Sequence, residues 1–254
     1  MSRSTGSMMT FNINDGYLEG ILRGYRLGLL GEKEHYANLV QCESLEDMKL
    51  QLQETDYGNF LENEPSPLQT TTIAEKCTEK MVEQFNYLRA NAVEPLATFL
   101  DYISYAYMID NVVLLITGTL HDRDPEELKE KCHPLGRFES MGSITVEDTT
   151  EKLYKEVLID TPLGPYIAGC LKKEDLDEKH IEEIRNTLYK AYLEDFDRFC
   201  KRLGGETYSV MHRVLGFEAD RRSVNITLNS FGTELEKDSV VVLYPRLGKL
   251  YPEG

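Results

Sequence analysis

The sequence predicts an all-α protein built from repeated helical lobes. Three observations carry that expectation. Apolar residues recur at three- and four-residue steps through most of the chain. Strand signals are weak. A set of residues also repeats at an offset of 110, from Asp110 to Asp220.

In chain order, Glu64-Pro65-Ser66-Pro67 reads as a rigid, non-helical connection. Thr72 followed by Glu75 has the spacing of a capping box. After it, Ile73, Cys77, Met81, Phe85 and Leu88 fall on one helical stripe. Glu94-Pro95 restarts a helix, because proline suits the first helical position and breaks an interior. Leu96, Phe99, Leu100, Ile103 and Tyr107 form its expected buried face, and the helix can run on through Val112 to Ile116. A third helix has Asp177 as its N-cap. Its stripe is Ile181, Ile184, Leu188, Tyr192, Phe196, Phe199 and Leu203, with Gly204-Gly205 as the stop. At 1.5 Å per residue it extends roughly 39 Å, the span of a whole lobe. Its other face carries Glu182, Glu183, Lys190, Glu194 and Arg198. Val240 to Leu243 is short and β-prone, and reads equally as a strand or a buried helical turn.

The repeat organises these elements. Asp110, Leu114, Ile116 and Thr117 match Asp220, Val224, Ile226 and Thr227. Leu135-Gly136-Arg137-Phe138 returns as Leu247-Gly248-Lys249-Leu250, and a fainter first copy opens at Tyr17. The expected lobes are 1–109, 110–219 and 220–254. The third stops partway, which predicts a protein that continues beyond Gly254 and a half-copy with an apolar face lacking its partner.

Composition narrows the function. The apolar share of 41% and charged share of 28% are those of an ordinary globular chain. A net charge of −16 is repelled by phosphate backbones and anionic lipid, so neither nucleic acid nor a bare membrane is an expected partner. No secretory signal and no run of about 18 apolar residues is apparent, so no direct membrane insertion is expected. The five cysteines form no CxxC pair and read as reduced thiols.

No catalytic set emerges. The sequence lacks the phosphate-binding, dinucleotide, zinc-protease and serine-hydrolase signatures. His121, Cys132 and His133 lack two further ligands at metal-binding spacing, so no cofactor and no metal is expected. Glu194-Asp195-Phe196-Asp197 has the look of a magnesium–diphosphate helix, but position 199 is Phe199 where a second carboxylate is needed. The acids therefore read as surface, with Glu194 spaced to pair with Arg198. His133 sits in a loop after a helix, where an exposed ring can touch a partner. Glu218-Ala219-Asp220-Arg221-Arg222 reads either as a contact site or as an ion-pair network at a helix end. His133, Arg221 and Arg222 are accordingly the partner-contact candidates.

Several long strings of mixed composition resemble the subunit d family of vacuolar-type proton ATPases, a family that extends to the equivalent component of archaeal-type rotary ATPases. They include Thr55-Asp56-Tyr57-Gly58-Asn59-Phe60-Leu61, Leu115-Ile116-Thr117-Gly118-Thr119-Leu120-His121, Cys132-His133-Pro134-Leu135-Gly136 and Phe217-Glu218-Ala219-Asp220-Arg221-Arg222. The resemblance runs from about Phe11 to Gly254.

It implies a funnel of three pseudo-threefold-related helical lobes, the third incomplete here. That funnel would cap the proteolipid c ring and receive central stalk subunits D and F. Subunit a and other membrane-sector subunits would be neighbours, at the cytosolic face of vacuolar, lysosomal or endosomal membranes. The implied role is non-catalytic: passing ATP-driven rotation to the ring that moves protons. Two other readings compete, a helical-repeat scaffold for protein binding and a magnesium-dependent helical enzyme.

Overall fold

The computed structural model describes residues 13–31, 33–143, 161–168, 181–231 and 237–252. Among them every regular element is helical. In order these are α1 (Gly16–Leu27), α2 (Lys33–Val40), α3 (Leu45–Gln53), α4 (Thr70–Asn91), α5 (Leu96–Leu120), α6 (Pro125–Lys131), α7 (Gly164–Ala168), α8 (Ile181–Leu203), α9 (Gly205–Ser230) and α10 (Lys237–Leu243). Two 3-10 turns, Pro134–Gly136 and Glu139–Ser143, follow α6. The chain divides into two compact units, Met1–Leu100 and Asp101–Gly254.

In the first unit α1 packs on α4, and α2 on α3. Helix α3 starts at a capping box: the Asp47 N–H donates to Ser44 Oγ at 3.1 Å, and the Ser44 N–H to Asp47 Oδ2 at 3.2 Å. The capping box expected at Thr72 and Glu75 is absent. Helix α4 begins at Thr70 after Gln69, so Thr72 already lies inside it. Its stripe from Ile73 to Leu88 is not a core either, since no residue of α4 is buried and Met81 is 39% exposed. The periodicity here marks a face covered only in part.

The second unit holds most of the core. Helix α5 starts just after Pro95 and continues to Leu120, as its sequence suggests. Its expected face is only half-buried. The fully enclosed residues are Ile109, Val112, Val113, Leu115 and Ile116, because this part of α5 is apolar around most of its circumference and therefore sits centrally. Among the described residues α5 alone is long and apolar enough to cross a bilayer by length and composition, with mean hydropathy 1.4. This corrects the expectation that no stretch qualifies: Asp110 and Asn111 interrupt the run without lowering the average enough.

Helix α8 buries its predicted stripe from Ile184 to Phe199, with Leu188 at 0% and Phe196 at 2% exposure, while Ile181 and Leu203 at its ends are half-buried. It packs on α7, α9 and α10. The Asp177 cap lies outside the described residues. Gly204 (φ 71°) and Gly205 (φ 55°) turn the chain into α9, through a backbone region that favours glycine. Val240 to Leu243 is helical, within α10.

The acidic run on α8 is not the surface feature its spacing suggests. Tyr102 and Tyr166 each donate a hydroxyl to Asp195 Oδ2 at 2.8 Å. Arg198 pairs with Asp195 at 3.0 Å rather than with Glu194. Glu194 instead accepts the Arg246 N–H at 3.0 Å, and the buried Asp197 meets His212 Nδ1 at 2.7 Å. A helix packed on several neighbours turns each of these acids toward one of them.

Burial opposes the Asp195 charge, but the two hydroxyls and Arg198 outweigh it, so its carboxyl lies below the usual range. Burial first, and Asp195 second, push the Tyr102 phenol up to about 12. The Asp195 contribution is therefore present above about pH 4 and lost as pH falls through the lower folded value. The Tyr102 contribution is present below about pH 10 and lost as pH climbs toward 12. We expect Asp195→Asn to destabilise the protein by about 1–3 kcal/mol at pH 7. Denaturant titrations across pH should show wild type converging on the variant in acid. A gap that is constant with pH would contradict the assignment.

A candidate partner-contact surface around His133, Arg221 and Arg222

His133 ends the run after α6 and opens the Pro134–Gly136 turn. Asn111 of α5 holds its backbone from both sides: Nδ2 donates to the His133 carbonyl at 2.9 Å, and Oδ1 accepts the His133 N–H at 2.8 Å. The ring's Nδ1 accepts the Leu135 N–H at 3.2 Å. The ring itself stacks on Tyr107, with centroids 4.2 Å apart and planes at 24°. Burial lowers the imidazole pKa, and Asp110 offsets this in part. His133 is thus half-buried and neutral at pH 7, and not the freely exposed side chain its loop position suggests.

Arg221 and Arg222 lie in the middle of α9, away from either helix end. Glu218, one turn earlier, serves both. Arg221 forms a bidentate pair with it, Nε to Oε2 at 2.8 Å and Nη2 to Oε1 at 2.6 Å. Arg222 Nε stands 2.9 Å from Oε1 but lacks hydrogen-bond alignment. Its guanidinium lies over the Tyr189 ring, 3.1 Å from the centroid. Burial raises Glu218, but the Arg221 hydrogen bond and the two guanidinium charges bring it below its ordinary value.

Tyr189 joins the pieces. Its hydroxyl donates to the Ala106 carbonyl of α5 at 3.1 Å. Burial, then the Asp110 charge, raise its phenol. Two of the three sequence candidates therefore lie along one line of contacts, Tyr189, Arg222, Glu218 and Arg221, while His133 is tied to α5 through Asn111 and Tyr107. Arg222 is largely spent inside that line, with 15% of its side chain exposed; Arg221, at 49%, is the more available. Sequence reasoning missed Asn111 and Tyr189. Asn111 had a signal, since a polar residue inside Met108–Leu115 must find a partner once buried.

The same docking scheme recurs along the chain. Gly136 presses on the α5 backbone, and a Cβ there would meet the Tyr107 carbonyl carbon and oxygen at 2.4 Å. Gly248 presses on α9, and a Cβ there would meet the Gly216 carbonyl oxygen at 2.6 Å. Asp220 accepts the N–H groups of Lys249 and Leu250, each at 2.9 Å. In both places a long helix, a short helix and a glycine turn close on one another.

The ATP synthase (C/AC39) subunit family model matches residues 18–254. The chain is 64% identical over 253 residues to V-type proton ATPase subunit d of Dictyostelium discoideum, covering 99% of this chain and 71% of that protein. The chain belongs to this family. Its relationship to other family members is similar in extent. Identity to V-type proton ATPase subunit d of Saccharomyces cerevisiae is 50% over 246 residues, covering 95% of this chain and 71% of the relative. Identity to the probable subunit d of Oryza sativa is 58% over 247 residues, covering 97% and 70%. The family strings around Cys132-His133-Pro134-Leu135-Gly136 and Phe217 to Arg222 coincide with the two glycine-turn docking sites and the Glu218 clamp. In this subunit d family member, those strings hold helices together.

Proposed function

We propose that this chain is a non-catalytic coupling subunit of a rotary proton-pumping ATPase. It links central stalk subunits D and F to the proteolipid c ring, beside subunit a, at the cytosolic face of an acidified compartment and without inserting into the bilayer. ATP-driven rotation passes through it, while hydrolysis and proton transfer belong to other subunits. Family membership over nearly the whole chain is the observation that carries this reading.

The architecture suits the role. A torque-transmitting part must resist deformation, and the second unit is closely packed and cross-tied by Asp195, Tyr189 and the glycine turns. Lobes 1–109, 110–219 and 220–254 around a hollow remain the proposed arrangement, with Arg221 the foremost contact candidate and His133 and Arg222 behind it.

The test is a proton ATPase depleted of its own subunit d and supplied with this protein. Stalk and ring should co-purify with it, and ATP-dependent acidification of vesicles should return. Arg221→Glu should reduce both by about tenfold, the scale of losing one interface hot spot. His133→Ala should act more weakly. Restored ATP hydrolysis without ring association would refute the coupling role.

A further inference from the structure

Helices α8 and α9 fold back on one another at Gly204 and Gly205, and Asp197 of α8 meets His212 of α9 at 2.7 Å, each about two turns from that bend. The chain carries −16 overall. The tip of this hairpin has the opposite sign. Between Arg198 and Arg213 the exposed cations are Arg198, Lys201, Arg202 and Arg213, set against Glu206 as the exposed acid. The acids nearby on α8 turn inward. Asp197 is buried against His212, and Asp195 is held by Tyr102 and Tyr166 and shared with Arg198.

Several exposed cations elsewhere have an acid one helical turn away: Arg23 has Glu19, Lys131 has Glu127 and Arg221 has Glu218. Among the described residues Lys201, Arg202 and Arg213 form no ion pair. Two guanidinium groups at the tip are also held in position. Arg202 lies over the Phe199 ring, 5.6 Å from the centroid, and Arg198 donates to Asp195 Oδ1 at 3.0 Å. The planar fork of arginine matches a carboxylate, and a fork already held loses less freedom when it binds one.

We infer that the tip of the α8–α9 hairpin is a docking surface for a carboxylate-rich segment of another protein, with Lys201, Arg202 and Arg213 as its charge contacts and Arg198 beside them. A membrane suits the tip less well. An anionic lipid plane is repelled by the acidic chain as a whole, whereas a single segment laid across the tip lies within a screening length of about 8 Å of these cations and feels mainly them. The inference rests on charge and exposure at the tip rather than on the coupling reading, and it concerns other residues than His133, Arg221 and Arg222.

A labelled oligoglutamate peptide is the probe, with oligoglutamine of the same length as its uncharged counterpart. By fluorescence anisotropy the 254-residue chain should bind the first and not the second, and the affinity should fall as salt is raised. Lys201→Glu with Arg202→Glu should weaken binding by about tenfold or more, with helicity unchanged since both side chains are exposed. Arg202→Lys keeps the charge and loses the fork, and should fall between wild type and that double variant. Arg23→Glu with Arg26→Glu, both exposed on α1, makes the same change in net charge and should leave binding nearly unaltered.

Hydrogen exchange gives a second measurement: with the peptide bound, amide hydrogens from 198 to 213 should gain protection. No binding, equal losses from the two double variants, or protection confined to other segments would each overturn the inference. So would tighter binding to phosphatidylserine vesicles through Lys201 and Arg202, which would give the tip to a membrane, or pairing of two copies of this chain through it. None of these outcomes decides whether the chain restores acidification, so the coupling reading is judged separately.

Discussion

Phe196→Ala should destabilise the protein by about 3–5 kcal/mol, the range for removing a large aromatic ring from a closed core. Phe196 is 2% exposed. Its ring stacks on Tyr102 with centroids 4.9 Å apart and planes at 8°, and it meets Tyr192 at 6.0 Å. Truncation leaves a void that α5 and α8 cannot both close. Tyr102 is held by its bond to Asp195 and also stacks against Phe199 at 4.9 Å. A loss of that size lowers the melting temperature by about 10 °C or more in a unit of this length. Phe196→Leu keeps much of the volume and should recover over half of the loss. Calorimetry of the two variants checks this. If Phe196→Ala costs under about 1 kcal/mol, well below that range, the Tyr102–Phe196 stack is not a structural centre of the second unit.

The sequence is a good guide where one face of a helix meets a well-filled core. The stripe on α8 is legible because side chains at three- and four-residue steps are the ones the core selects. It is a poorer guide at α4, where the same periodicity covers a face with no buried residue. Periodicity reports which side of a helix is apolar, and how deeply that side is covered depends on what packs there. The acids of α8 show the converse. Helical spacing pairs Glu194 with Arg198, yet Arg198 goes to Asp195, while Arg246 occupies Glu194 from 52 residues away. No local rule contains that partner. His133 likewise reads as an exposed loop residue until Asn111, 22 residues earlier, is seen to hold its backbone.

The repeated glycines can be turned into a measurement. Gly136→Ala should destabilise the second unit by about 1–3 kcal/mol or more, because the added carbon meets the backbone of α5, which cannot rotate away as a side chain can. At Gly248 the added carbon meets the Asp220 carboxylate and the Gly216 carbonyl, and φ is +90°. Alanine there is strained by conformation as well as contact. Its cost should nevertheless fall on a smaller region, since the turn it closes lies against the α9 and α10 pairing rather than against the enclosed part of α5. Hydrogen exchange distinguishes the two. Gly136→Ala should speed exchange along α5 and α8, whereas Gly248→Ala should act mainly on α9 and α10. Asn111→Ala, which frees the His133 backbone without adding volume, should reproduce the Gly136→Ala pattern, and Asp220→Ala that of Gly248→Ala. If Asn111→Ala instead affected only its own turn, the glycine contact and the side-chain bond would be independent features, and the likeness between the two docking sites would have no mechanical meaning.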